Sequence, residues 1–308
     1  MRKALVTVIV VAITLSLQER ASAQALILKD NSRLGPDQFS VEGGKVLKKV
    51  RVGENVATST LQMNTIARMD WPTPEELTAS RDLRAAGKTK EALEVLEKGR
   101  AFFEPFKDIP GNHYADLSLA YLETMSQGED FTATLKALAE AQRLKLTDAQ
   151  KLSLKIIKLN VDRQASSDYA GIIGQAENIL AESTDSAVGA AVWMIIGDVY
   201  TKQKLYEKAL MAYLRVPVFY GTQIQKVPEA ELQAARSLAL MRRFEDAQAF
   251  YTRLEETYKG SGVATTAAQE KAKINGLKND EGGTGEPPAA EPAKEAAAAP
   301  AEGSSAAQ

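Results

Sequence analysis

The chain has 308 residues, of which 44% are apolar, and its formal net charge is −2. This length and apolar content are sufficient for a sizeable hydrophobic core. The nearly balanced charge argues against a nucleic-acid binder that works by neutralising phosphates. The chain has no cysteine, which excludes disulfides, zinc–thiolate sites, thiol nucleophiles and anchoring through an acylated cysteine.

The first 23 residues predict a cleaved signal peptide. Arg2 and Lys3 precede an uncharged apolar run, Ala4 to Leu17, and residues 21–23 are Ala-Ser-Ala, the small-residue pattern of a cleavage site. The run is shorter than the roughly 20 residues that span a bilayer as a helix; a retained N-terminal anchor is the alternative. We therefore expect a periplasmic or secreted protein that starts at Gln24 and has no integral membrane span.

Residues 25–71 predict a small β-rich module of about four or five short strands, either an SH3-like barrel or an antiparallel sheet. Gly43 and Gly44 separate two alternating runs, which is a hairpin signal. A module of this size is marginally stable alone, so we expect it to pack on the segment that follows.

Helical patterns extend from residue 73 to about residue 276. The sequence predicts helix starts at Thr73, with Pro74 in the first turn, and again at Thr147 and Asp185, because their side chains can cap free backbone N–H groups.

The helical segment repeats at a nearly constant period. Five helix starts share an aromatic or Thr residue three positions before a small or aliphatic one, and they are separated by 42, 38, 37 and 38 residues. These starts are Thr89, Phe131, Tyr169, Tyr206 and Phe244. Five units at such spacing indicate an internal repeat.

One unit also carries a longer motif, W-x2-I-G-x2-Y followed by A-x3-Y. Its residues are Trp193, Ile196, Gly197, Tyr200, Ala209 and Tyr213. At these positions the chain resembles the tetratricopeptide repeat family. The resemblance implies a mostly α protein, with a solenoid of about five helical hairpins over residues 73–276. Gly197 and Ala209 are small where two helices would approach closely, and the aromatic residues would fill the adjoining gaps.

The C-terminal end fits a repeat array. Residues 260–274 predict a polar closing helix, which Asn275 and Gly276 would end. Residues 279–308 are rich in Ala, Pro, Glu and Gly without a bulky apolar residue, and this composition predicts a disordered tail.

The family resemblance also implies a binding groove lined by the first helix of each hairpin. The apolar residues expected there are Leu77, Leu119, Ile157, Met194 and Leu232, and the charged residues expected four positions further along are Arg81, Glu123, Asp198 and Arg236. Such a groove would bind an amphipathic helix or an extended peptide. The alternative is that these apolar residues are simply core.

The sequence shows no catalytic set. His113 is the only histidine and has no nucleophile or acid partner nearby in the sequence, and no cluster has the spacing of metal ligands. We therefore expect a non-enzymatic protein–protein interaction scaffold of a bacterial cell envelope, without a cofactor or nucleic-acid partner. In the alternatives, the β module recognises the partner and the repeats act as a spacer, or the chain is an accessory domain of an envelope enzyme.

Overall fold

The computed structural model describes residues 24–52, 55–128 and 130–279. The predicted signal peptide and the predicted tail beyond Asn279 lie outside these residues. The described chain is mostly helical, with two small antiparallel sheets towards its N-terminal side. It divides into two compact units, one extending to Asp168 and the other beginning at Tyr169.

Six strands belong to the first unit. They are β1 (Ala25–Leu28), β2 (Arg33–Leu34), β3 (Phe39–Glu42), β4 (Lys45–Val52), β5 (Asn55–Thr60) and β6 (Ile66–Asp70). They form two three-stranded sheets, with the orders β2-β1-β6 and β3-β4-β5. The second sheet contains the predicted hairpin, whose Gly43 and Gly44 have φ values of 55° and 73°, as a type I′ turn requires.

The sequence correctly predicts short antiparallel strands in this segment, but not their number or arrangement. A single barrel or sheet was expected, whereas the strands form two separate sheets. The additional strand, β2, has only two residues, too few for an alternating pattern to be visible in the sequence.

Eleven α-helices follow within the described residues. The first unit contains α1 (Glu75–Ala85), α2 (Thr89–Phe103), α3 (Tyr114–Met125), α4 (Phe131–Ala141) and α5 (Asp148–Ala165). The second contains α6 (Tyr169–Glu182), α7 (Ser186–Lys202), α8 (Tyr206–Phe219), α9 (Val227–Leu240), α10 (Phe244–Thr257) and α11 (Gly262–Lys273). The five predicted repeat positions are the first residues of α2, α4, α6, α8 and α10, so the predicted period coincides with helix starts.

Three helix pairs, α1/α2, α7/α8 and α9/α10, are connected by the same type of turn. At α7/α8 the N–H groups of Leu205 and Lys204 donate to the carbonyls of Tyr200 and Thr201. The same two bonds recur at the other two turns, and together they define the Schellman motif, which needs one residue at positive φ. That residue is Gly87, Lys204 or Arg242, with φ values of 74°, 61° and 60°.

The core of the first unit is continuous between the sheets and the helices. Leu26 and Phe39 of the sheets share one cluster with Leu96, Phe103 and Leu117 of α2 and α3. The N–H of Met69 in β6 donates to the carbonyl of Pro110, at 2.8 Å, in the loop before α3. The β module thus packs on the first helices, as expected, and the division of the chain falls after Asp168 and not near residue 72.

The core of the second unit lies among α7 to α11 and contains Tyr213, Tyr251 and Leu254. A Cβ atom added to Gly197 would overlap the ring of Tyr213, and the methyl group of Ala209 is fully buried. The small residues of the motif therefore allow α7 and α8 to approach closely, as the sequence predicted.

Candidate functional site

The predicted apolar groove is not an open surface. Leu119, Ile157, Met194 and Leu232 are each only 6% or 7% exposed, and Leu77 is half-buried. Four of them lie in core clusters between neighbouring helices, and Leu77 packs against another cluster, so their burial favours the alternative that these apolar residues are core.

Three of the four charged groove residues already have partners within their own units. Glu123 pairs with Arg84 at 2.9 Å, and the carboxylate of Asp198 accepts a hydrogen bond from the hydroxyl of Tyr213 at 2.7 Å. Arg236 donates to both carboxylate oxygens of Glu270. Arg81 is exposed on α1. The three paired residues, Glu123, Asp198 and Arg236, thus stabilise the fold of their own units.

His113 joins the end of β6 to the start of α3. Its Nε2 lies 3.1 Å from the carbonyl oxygen of Trp71, and its Nδ1 lies 3.3 Å from the carboxylate of Asp116. Its ring also meets that of Phe103 edge to face. Asp116, only three residues further along, is thus an acid partner that the sequence analysis did not find. Because both ring nitrogens contact neighbouring groups of the fold, the histidine has a structural role in the first unit.

Within the ranges that the structure covers, no group of three or more His, Cys, Asp or Glu residues could hold a metal ion. None of the helices in the described ranges is both long and apolar enough to cross a bilayer.

A cleft of about 380 Å³ opens in the second unit, between α6 and α8. Both helices pack on α7 but barely contact each other, so part of α7 is uncovered between them. Trp193, Ile196 and Tyr200 of α7 form its floor, and Met211 and Arg215 of α8 lie on one wall. The remaining lining residues are Glu177, Glu207, Lys208 and Ala212. The cleft is therefore aromatic at its base and charged at its edges.

Two cations of α8 lie over the aromatic rings of the floor. The guanidinium of Arg215 is 4.1 Å from the ring centroid of Trp193, and the ammonium of Lys208 is 5.8 Å from that of Tyr200, both within the range of cation–π attraction. Neither cation pairs with a carboxylate of the described chain.

The next hairpin provides a contrast. Arg253 of α10 lies 4.4 Å from the ring centroid of Phe250, and it also pairs with Glu231 of α9 at 2.9 Å. Arg215 thus has an aromatic contact like that of Arg253, but it lacks the carboxylate partner.

Beyond the cleft, the outward side of α8 presents exposed apolar side chains. Met211 is 59% exposed, and Val218 and Phe219 are each 69% exposed. Met211, Arg215 and Val218 are four and then three residues apart, which places them on one helix face. We call the surface formed by Glu207, Met211, Arg215, Val218 and Phe219 the α8 face.

The α8 face was not predicted from the sequence. Trp193 and Tyr200 pack against the core cluster, as expected, and both are also partly exposed along the cleft. The available signal was in α8 itself, where Met211, Val218 and Phe219 add apolar positions outside the motif residues Ala209 and Tyr213, and therefore outside the buried face.

A second cavity, of about 450 Å³, lies in the first unit beside the end of β6. Trp71, Phe102 and Phe103 contribute to its wall, together with Glu75 and Glu76 at the start of α1. The rings of Trp71 and Phe102 are 5.4 Å apart and belong to an aromatic cluster that continues into the core. This cavity thus lies at the edge of the hydrophobic core of the first unit.

No protein-family model matches the chain, and no curated protein sequence matches it.

Proposed function

We propose that this chain is a non-enzymatic interaction scaffold of a bacterial cell envelope, built as a tetratricopeptide-type solenoid, and that it binds another protein chain through the α8 face. The single observation that carries the proposal is the exposure of Met211, Val218 and Phe219 on one side of α8. Several large apolar side chains exposed along one helix are typical of an interaction site.

The composition of the face supports a protein partner over a small molecule. Arg and aromatic residues are enriched at the centres of protein interfaces, and Arg215 lies here on Trp193 beside exposed Met211. Methionine is flexible and polarisable, which suits a surface that must fit a partner side chain. The cleft would take an apolar side chain of the partner, and Arg215 and Lys208 would contact its carboxylates.

A photo-reactive amino acid in place of Phe219 tests this function in the source cells. We expect covalent capture of a protein chain at this position and far less at Leu240 of α9, which is 49% exposed and serves as the matched control. Met211→Asp in the same chain should abolish the capture, because it introduces a charge into the apolar centre of the face. Equal capture at both positions, or capture unaffected by Met211→Asp, would contradict the proposal.

The envelope location is a separate part of the proposal and rests on the N-terminal sequence pattern. The purified cellular protein should start at Gln24, one residue before β1. Mass spectrometry of the intact protein measures this directly, and a dominant species that retains residues 1–23 would contradict export with cleavage.

A further inference from the structure

We propose that the occupant of the α8 face is a second copy of this chain, with the two α8 helices antiparallel across a two-fold axis that passes beside Met211. This inference rests on the proposed function, since it names the partner of the same surface. It follows from the order of charges along α8.

Glu207 and Arg215 lie four residues before and four residues after Met211, on the same helix face. In an antiparallel pair centred on Met211, Glu207 of each copy lies opposite Arg215 of the other. A two-fold interface is self-complementary in this way, because residue i meets residue j and j meets i. The two charges would thus form two equivalent ion pairs on either side of a Met–Met contact.

Both charges are available for such pairing. The carboxylate of Glu207 and the guanidinium of Arg215 are exposed, and neither forms an ion pair within the described chain. Arg215 is also held in place by its contact with the ring of Trp193, which lowers the entropy that it would lose on pairing.

The apolar side chains of the face lie at its centre and towards the C-terminal end of α8. Met211 lies on the axis and would pack against its own copy. Val218 and Phe219 lie about two turns further along α8 and would extend over the turn before the partner's α8. Exposed apolar side chains at the centre with charges beside them are the usual arrangement of a homodimer interface.

A single-cysteine variant provides the sharpest test, because the natural chain contains no cysteine. A residue beside a two-fold axis lies next to its own copy, so Met211→Cys should form a disulfide-linked dimer under mild oxidation at micromolar concentration. Leu240→Cys, on the neighbouring helix, is the control and should remain largely monomeric. Equal rates of dimer formation in the two variants would overturn the inference.

Charge exchange tests the pairing itself. In sedimentation experiments on the chain from Gln24, Arg215→Glu should weaken dimerisation about tenfold or more, because Glu207 would then face a carboxylate at both symmetric positions. Glu207→Arg should have a similar effect. The double variant should regain affinity to within about threefold of the natural chain.

Glu256→Arg with Lys259→Glu provides a control of equal charge change, since both residues are exposed on the far end of α10 and its following turn. This pair of changes should leave dimerisation unaltered. A double variant at positions 207 and 215 that stays as weak as the single variants would contradict the antiparallel arrangement.

The outcomes separate this inference from the proposed function. A monomeric chain that is still captured at Phe219 by a different protein would overturn the second copy as occupant and leave the α8 face as an interaction site. If the chain neither dimerises nor captures a protein at Phe219, both the second copy as occupant and the α8 face as an interaction site are overturned.

Discussion

Gly197 shows at the scale of one residue how the repeat motif works. It lies within α7, and a Cβ atom at this position would come within 2.8 Å of Cζ of Tyr213. Tyr213 is fully buried and its hydroxyl is held by Asp198, so the ring cannot move aside without losing that bond. The absence of a side chain at Gly197 is therefore a condition for the contact between α7 and α8.

Gly197→Ala should consequently destabilise the protein by about 1–3 kcal/mol through overpacking, although alanine favours helix by itself. Gly174→Ala is the matched control, because Gly174 lies within α6 and a Cβ there meets nothing within 4 Å. Gly174→Ala should raise the free energy of unfolding by about 0.5–1 kcal/mol. Urea unfolding of both variants checks the opposite signs; a stabilised Gly197→Ala would show that the helices do not approach as closely as described.

A second residue-scale feature is the partly buried network around Glu270 of α11. Burial acts to raise the pKa of Glu270, but the hydrogen bonds and charge of Arg236 outweigh it, so that the pKa is lowered from its usual 4.5. The hydroxyl of Tyr251 also donates to this carboxylate at 3.1 Å, and burial, reinforced by the negative charge of Glu270, raises the pKa of Tyr251. The ionised carboxylate of Glu270 therefore stabilises the contact between α9 and α11.

The pH dependence follows from the lowered pKa. A carboxyl whose pKa is lower in the folded chain stabilises it fully above the unfolded pKa and loses this contribution as pH falls through the folded pKa. Glu270→Gln should cost about 1 kcal/mol at pH 7, since the pair is partly exposed. The difference from the natural chain should shrink below about pH 4. Unfolding measured at neutral and acidic pH would contradict this if the difference stayed constant.

At the scale of elements, the turns between helices are the clearest repeat feature. The Schellman turns of α7/α8 and α9/α10 place Lys204 and Arg242 in the left-handed region, whereas the α1/α2 turn has Gly87 there. The left-handed conformation costs a non-glycine residue about 1–2 kcal/mol. The α7/α8 and α9/α10 turns are thus less stable than they would be with glycine at the left-handed position.

Lys204→Gly should therefore stabilise the chain by about 0.5–1 kcal/mol, after subtraction of the greater freedom of glycine in the unfolded state. Lys208→Gly is the control, because Lys208 lies within α8 and glycine costs about 1 kcal/mol in a helix interior. Thermal melting of the two variants should show shifts in opposite directions. A lower melting temperature for Lys204→Gly would contradict the strain assigned to this turn.

The elements that the sequence predicted well are those with a local chemical signal. Thr147 and Asp185 cap α5 and α7 with their side chains as predicted, because a capping side chain needs only the next three residues. Thr73 fails this test: α1 begins at Glu75 after Pro74, without a side-chain cap. A capping pattern is compatible with several starts, and the packing of the neighbouring chain selects one.

The candidate site was less predictable than the helices for a physical reason. The period located Met194 and Leu232 on the first helices correctly, but periodicity does not tell which apolar face meets another hairpin and which meets solvent. The apolar positions outside the motif were a signal in α8 itself, but the exposure of Met211 also depends on the gap between α6 and α8, which is a property of helix packing that neither helix sequence shows.

On the scale of a whole folding unit, the first unit combines the two sheets with the helices that follow. Leu26, Phe39 and Val46 of the sheets and Leu96 and Leu117 of the helices belong to one cluster. A β module of this size buries too little apolar surface to be stable alone. Its stability should therefore depend on side chains that lie outside residues 25–71.

Leu117→Ala tests this dependence. Leu117 is fully buried on α3, and its truncation should cost about 2–5 kcal/mol. Trp71 follows β6 directly and is one of two tryptophans in the chain, so Trp193→Phe makes its fluorescence a specific reporter of the β module. We expect the urea midpoint of Trp71 emission to fall in Leu117→Ala and to change little in Leu135→Ala, whose side chain is 45% exposed on α4. If the β module folded by itself, the loss of a side chain from α3 would leave the Trp71 transition where it was. A shifted transition would instead show that the sheets and the first helices unfold as one cooperative unit, because the core they share cannot be divided between them.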